Sequence, residues 1–119
     1  MKKEKAKRQK YNEGFMWTLY DKMHRRYGPA LKSDRGVWWY FNNKLHRSNG
    51  PAIEFISGQK EWWRYGKRHR EDGHAIEYTS GGGSWWLNHE LFYDKHLYFK
   101  ELEKLRGKEW ADKIRLIYA

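Results

Sequence analysis

The side chains best suited to chemistry in this chain come in repeating sets. His24-Arg25, His46-Arg47 and His69-Arg70 follow one another at offsets of 22 and 23 residues. Imidazoles at such positions suggest a metal site, and guanidinium forks at regular intervals suggest clasps for phosphate. Geometry opposes the metal. Equivalent residues in successive two-stranded units lie about 9 to 10 Å apart at ~4.8 Å per strand, whereas zinc holds each imidazole nitrogen at about 2.0 to 2.1 Å. No metal or cofactor is therefore expected, and His24, His46 and His69 are read as structural residues that hydrogen-bond turn backbone. For the arginines, ion pairs within the chain compete with ligand binding, because Arg47 and Glu54, like Arg70 and Glu77, fall on one face as diagonal neighbours across a hairpin. Arg25 has Lys32 in the matching place, which makes the first unit the expected electropositive spot.

Catalytic signals are sparse. No nucleophile and base stand at a convincing spacing, there is no phosphate loop, and Gly81-Gly82-Gly83 reads as an elongated turn. His89, Glu90, Asp94 and His96 form the nearest approach to an acid-base site, although polar residues are common where a sheet gives way to a helix. No catalytic residue is assigned.

The elements that must position these side chains follow from a repeat of about 22 to 23 residues running from Trp17 to Trp86. His24-Arg25-Arg26-Tyr27-Gly28-Pro29-Ala30-Leu31 returns as His46-Arg47-Ser48-Asn49-Gly50-Pro51-Ala52-Ile53, and again as His69-Arg70-Glu71-Asp72-Gly73-His74-Ala75-Ile76. Gly28, Gly50 and Gly73 are the fixed glycines of this motif. Asn49-Gly50 and Asp72-Gly73 are strong hairpin signals, so the units read as hairpins of an antiparallel meander. Trp38-Trp39, Trp62-Trp63 and Trp85-Trp86 supply one strand of each unit. Side chains alternate along a strand, which places Trp38, Trp62 and Trp85 on one face and Trp39, Trp63 and Trp86 on the other. Leu97, Tyr98, Leu102 and Leu105, then Trp110, Ala111, Ile114, Ile117 and Tyr118, recur at helical spacing and predict one helix broken or kinked at Gly107. If that helix covers one sheet face, the second Trp row needs another cover, and large exposed aromatic patches mark interaction sites.

At 119 residues the chain suits one domain. Its core is rich in rings, with eight Trp and nine Tyr. A mean hydropathy of -1.18 and the absence of a run of about 20 apolar residues exclude a membrane-spanning helix. With no Cys, disulfides and thiolate metal sites are excluded. The charged start lacks a following hydrophobic segment, so a cytoplasmic location is expected. Of the formal net charge of +10, residues 1 to 10 carry +5, residues 11 to 98 carry +3 and residues 99 to 119 carry +2. Lys2, Lys3, Lys5, Lys7, Arg8 and Lys10 therefore read as an electrostatic arm that adds affinity for an anionic partner and little to folding.

Written as Trp-Trp, a short turn, His-Arg, two residues, Gly-Pro-Ala, an aliphatic residue and Glu, the repeat resembles MORN-type hairpin units. It is most similar to a His-Arg-x-x-Gly-Pro-Ala variant associated with small proteins of tailed bacteriophages. The resemblance covers about residues 15 to 93, with Lys32 and His74 as departures. It implies a non-catalytic scaffold, and hence a phage accessory or host-interaction factor, anti-defence factors among them, acting in the bacterial cytoplasm. The fold expected is mainly β: a basic tail over 1–12, three MORN-like hairpin repeats over 13–93 and a helical segment over 94–119, within one domain. The expected function is binding of a protein partner through an aromatic sheet face bearing Trp38, Trp39, Trp62, Trp63, Trp85, Trp86, Arg25 and Arg64, with a second copy of the chain as a further candidate partner. The alternative is nucleic-acid binding, with the Trp and Arg rows stacking bases beside the basic tail.

Overall fold

The computed structural model describes residues 5–11 and 14–119. In chain order the first strands are β1 (Lys7–Tyr11), β2 (Gly14–Leu19), β3 (Lys22–Met23), β4 (Leu31–Ser33), β5 (Gly36–Trp38), β6 (Tyr40–Phe41) and β7 (Lys44–Leu45). They are followed by β8 (Ile53–Phe55), β9 (Lys60–Glu61), β10 (Trp63–Arg64), β11 (Lys67–Arg68), β12 (Ile76–Glu77), β13 (Gly83–Leu87) and β14 (Glu90–Phe92). Helices α1 (Lys95–Arg106) and α2 (Lys108–Ile117) close the chain. The strands form a mainly β antiparallel meander: a ten-stranded sheet ordered β1-β2-β4-β5-β8-β9-β12-β13-β14, with β3 on β2, beside the separate pairs β6-β7 and β10-β11.

Each unit therefore contributes twice. Its longer strands join the main sheet, and a short hairpin hangs beyond the Trp. Those hairpins turn at Tyr20-Asp21, Asn42-Asn43, Tyr65-Gly66 and Asn88-His89, with φ between 48 and 80° at both turn residues. Positive φ at both positions is what a two-residue turn needs to match strand twist. This relocates the hairpin turns, because Asn49-Gly50 and Asp72-Gly73 are not hairpin turns. They lie in bends between β7 and β8 and between β11 and β12, and their glycines serve another purpose, described below.

The register also corrects the Trp alignment. Trp17, Trp39 and Trp62 are the equivalent residues, since their amides donate to Ala30, Ala52 and Ala75 at 2.6, 2.7 and 2.7 Å. Trp85 follows Trp62 by the same 23 residues that separate Trp62 from Trp39. Trp38 instead belongs to the row of the preceding residue. Strand pairing lines up Met16, Leu31, Trp38, Ile53, Glu61, Ile76 and Ser84 across the sheet. The three alanines also donate to the neighbouring unit, Ala52 to Glu61 at 2.8 Å, and none has any exposed surface. A larger side chain has no room there, which explains the fixed Ala of the motif.

The helices cover one face of the sheet at its last strands, where Trp85 and Leu87 fall on the same side of β13. Asp94 caps α1 by accepting from the His96 amide at 2.8 Å, and Gly107 at φ 92° ends α1 and begins α2. Between them they bury Tyr98, Phe99, Leu102, Ala111 and Ile114 against Trp85 and Leu87 of β13, with Phe92, Trp110 and Tyr118 at the margin. Leu97, Leu105 and Ile117, expected inside, are exposed, and Phe99 takes the inward place instead. The Tyr98 hydroxyl donates to the Arg70 carbonyl at 2.6 Å, and Trp110 Nε1 donates to the Glu71 carbonyl at 2.7 Å. Both bonds tie the helices to the third His-Arg loop. His74 departs from the Pro of the other copies for the same reason, since its ring lies 4.1 Å from Trp85 and 5.1 Å from Tyr118.

At the other end, the basic segment is partly strand. Lys7, Arg8 and Lys10 lie on β1, paired with β2 from Lys7 opposite Thr18 to Tyr11 opposite Gly14, and the Arg8 guanidinium sits 4.6 Å from the Phe15 ring centre. Lys5 precedes the strand, and Lys2 and Lys3 lie outside the described residues. Lysines on an edge strand discourage further strand addition. Deleting residues 1–11 should strip this ladder from β2 and lower the thermal midpoint by about 5 °C or more. An unchanged midpoint on calorimetry would return the segment to the role of a tail that adds charge alone.

Candidate functional site

Each His-Arg-x-x-Gly motif builds the same local structure. The arginine folds back over the Trp of its own unit: Arg25 Cζ lies 4.1 Å from the Trp17 ring centre, Arg47 4.0 Å from Trp39 and Arg70 3.7 Å from Trp62. An Nη1 donor then reaches the carbonyl of Pro29, Pro51 or His74 at 3.4, 3.1 or 3.0 Å. The glycine lies on the other side of the guanidinium. A Cβ on Gly28, Gly50 or Gly73 would stand 2.6, 2.9 or 3.0 Å from that arginine's Cζ, so a side chain at Gly28 or Gly50 would press on the stacked cation, while one at Gly73 would meet the Tyr118 hydroxyl first. The fixed glycine is a matter of close approach.

The histidine staples one unit to the next. His24, His46 and His69 each accept at Nδ1 from a backbone amide in the following hairpin turn, Asn42 at 3.0 Å, Tyr65 at 3.0 Å and Asn88 at 2.8 Å. This satisfies turn amides in the left-handed region. His89 does the reverse from within its own turn, accepting from the Arg68 amide at 3.2 Å. His89 and Asp94 thus serve backbone.

On the opposite face a second arginine is sandwiched. Arg68 lies 4.7 Å from Trp63 and 4.6 Å from Trp86 and pairs with Glu61 at 3.1 Å. Glu61 is buried, and it also accepts from Trp63 Nε1 at 3.1 Å and from Gln59 Nε2 at 3.2 Å. A buried carboxylate with three donors is satisfied. Sequence reading missed this group because Glu61 occupies the strand position of Trp38.

What remains open lies between successive His-Arg loops. A cleft of about 710 Å³ runs between the first and second, lined by Arg25, Arg26, Arg47, Trp39, Tyr27 and Tyr65, with Phe41, His46, Ser48 and Asn49 completing it. No described acidic residue lines it. Tyr27 is 84% exposed, and Tyr65 stacks one face on His46 with ring centres 4.0 Å apart. The neighbouring cleft of about 390 Å³ shares Arg47, Ser48 and Asn49 with the first and adds Trp62, Arg64, His69, Arg70 and Arg106, and there Glu71 and Asp72 face the cations. Glu71 pairs with Arg106 at 2.6 Å, His69 at 2.6 Å and Arg64 at 3.3 Å. Burial alone would raise the Glu71 pKa, but hydrogen bonds from Arg106 and His69 and the charge of Arg64 hold it below the usual carboxylate value. Arg70 is neutralised by Asp72 and Glu77, each at 2.8 Å, whereas among the described residues Arg47 makes no ion pair with Glu54.

Of the residues expected on a partner face, the first cleft gathers Arg25 and Trp39, and the second gathers Trp62 and Arg64. Trp38, Trp63, Trp85 and Trp86 line neither. Arg26, Tyr27 and Tyr65 were missed, since single exposed residues leave no periodic signal. Comparisons with protein-family models, with characterised proteins and with solved structures find no match to this chain.

The arginine-glycine contact has a measurable signature. Gly50→Ala should displace Arg47 from Trp39 and cost about 1 kcal/mol, the scale of a partly desolvated cation–π contact. Arg47→Ala should cost a similar amount, and the double variant should cost clearly less than the two together in denaturant unfolding. Strict additivity would mean that the glycine is not there for the arginine.

The histidines set a pH dependence. His46 and His74 are held below the ordinary imidazole value of about 6.5. Burial is the larger cause at both; Arg64 adds to it at His46, and at His74 Glu77 opposes while Arg70 adds. In the window just under pH ~6.5 the unfolded chain therefore binds more protons than the folded one, so the stability these groups give is present above that pH and is lost as pH falls. Urea midpoints should decline from pH 7 to pH 5, and less steeply for the His46→Gln, His74→Gln double variant. An identical slope in that variant would assign the effect to other groups.

Proposed function

We propose that this chain is a non-catalytic binding protein whose contact surface is the cleft between the first two His-Arg loops, and that the surface it receives is anionic. The observation that carries this reading is the contrast between neighbouring clefts. Three arginines and four aromatic rings line the first with no described carboxylate among them, while Glu71, Asp72 and Glu77 neutralise the equivalent cations of the next. A focused positive cleft raises the local concentration of an anionic partner. The resemblance of the repeat to MORN-type scaffolds also favours binding over catalysis, and so does the use of His24, His46, His69, His89 and Asp94 as hydrogen-bond acceptors for backbone amides.

The aromatic rows contribute in a different way from an open sheet face. Trp39 and Trp62 are covered by their arginines on one side, so the surface a partner meets there is guanidinium with a ring beneath it. Such a cation is held in place before binding, which lowers the ordering cost of association. The third loop shows the substitution that should close the site. Glu71 and Asp72 stand where the first loop has Arg26 and Tyr27.

Arg26→Glu with Tyr27→Asp should accordingly weaken binding of labelled heparin oligosaccharide and labelled oligoglutamate by about tenfold, the worth of one charge-assisted hydrogen bond. Its thermal midpoint should stay at or above that of the parent chain. Undiminished binding of both polyanions by the folded variant would move the anionic contact elsewhere on the molecule.

A further inference from the structure

The fold contains its own example of an oxyanion bound to one of the stacked arginines. In the third loop, Asp72 Oδ1 accepts from Arg70 Nε at 2.8 Å and Glu77 Oε1 accepts from Nη1 at 2.8 Å, while the guanidinium rests on Trp62. Arg47 and Arg25 repeat the stacking on Trp39 and Trp17 with Asn49 and Tyr27 at the position of Asp72. Among the described residues Arg47 Nε is buried without a hydrogen-bond partner, as is Arg68 Nε, which lies outside this cleft. A buried donor left unpaired is costly, and an oxygen reaching past Asn49 would supply the contact that Asp72 makes internally.

The same cleft offers flat rings beside those cations. Tyr27 is 84% and Tyr65 62% exposed, with His46 backing Tyr65 at 4.0 Å and an interplanar angle of 25°. Arg26 lies over Tyr27 at 5.6 Å. An acidic peptide would satisfy the arginines and leave these rings unused. Oxyanions alternating with planar rings are the pattern of a nucleotide strand, in which each phosphate is accompanied by a base able to stack. In a duplex the bases are stacked on one another and unavailable.

We infer that the ligand of this cleft is single-stranded nucleic acid, with phosphates on Arg25 and Arg47 in the place Asp72 takes on Arg70, and bases stacked on Tyr27 and Tyr65. This rests on the anionic-cleft reading above and gives it a chemical class. Asn49→Asp should complete the third loop's ion pair in the second loop, so the chain fills its own site. Tyr27 and Tyr65 are solvent-facing, so their replacement tests stacking without unfolding the sheet.

The test is fluorescence anisotropy of the full chain with labelled oligothymidylate and oligouridylate of about twelve nucleotides, within the length range of single-strand sites. Competitors are an abasic strand of the same length, a duplex and oligoglutamate. Either oligonucleotide should bind, the stronger of the two identifying DNA or RNA, and the abasic strand should compete about tenfold more weakly. The Tyr27→Ala, Tyr65→Ala variant should lose that preference for bases, and Asn49→Asp should weaken both strands while the thermal midpoint holds or rises. If the abasic strand, the duplex or oligoglutamate competes as well as the oligonucleotide, the single-strand inference fails and the anionic cleft stands. If no polyanion binds, both fail.

Discussion

A guanidinium held between an indole face and a glycine with no Cβ is the contact on which the repeat depends. It sets the residue types at three positions at once: the Trp that carries the cation, the Arg, and the Gly that lets the loop backbone close over it. With the loop so fixed, the next residues are delivered to the sheet in register, and a fully buried Ala joins its own unit's Trp to the following unit. The histidine beside the arginine then reaches into the following turn. Cation–π contacts strengthen as they are desolvated, so the loop that covers the arginine also strengthens its hold on the ring.

Such a meander has two ends, and they are finished differently. At the first, β1 is the outermost of the described strands and carries Lys7, Arg8 and Lys10, which opposes pairing with another sheet by charge. At the last, Trp85 has no His-Arg loop of its own to cover it, and Tyr98, Phe99 and Tyr118 pack against its ring instead. The helices are therefore the substitute for a missing arginine. Their docking is specific to the third loop, because Tyr98 and Trp110 donate to its backbone and Arg106 reaches Glu71. His74 and the acidic pair Glu71-Asp72 are the changes that adapt that loop.

The same adaptation creates a polarity along the molecule. The third loop is neutralised and covered, while the first has Arg26 and Tyr27 in place of the two acids. Repeats that share a backbone thus differ in what their surface attracts, and the difference lies at two residues per unit that the fold leaves free to vary. Binding chemistry can change there while the Trp-Arg-Gly contact is kept, because the guanidinium stacks on its ring alike with Tyr27, Asn49 or Asp72 at the second of these positions.

The period, the β class, the antiparallel meander and the helical end with its break at Gly107 were legible in the residue order, since each is written as spacing of residue types with one physical reading. Tertiary structure decided which tryptophans are equivalent. A Trp-Trp pair can be aligned by either member, and Glu61 in place of Trp38 hides the true register until Trp39 and Trp62 are seen donating to Ala52 and Ala75. It also moved the hairpin turns, because Asn49-Gly50 and Asn42-Asn43 compete as local signals. The glycine that looks made for a turn is required instead by an arginine that folds back onto it. Whether an arginine finds a carboxylate was likewise settled in three dimensions: Arg70 takes both Asp72 and Glu77, while Arg47 remains on its ring without Glu54. Diagonal neighbours on paper differ by only a few ångströms in space, and a charge-assisted bond is lost over that distance.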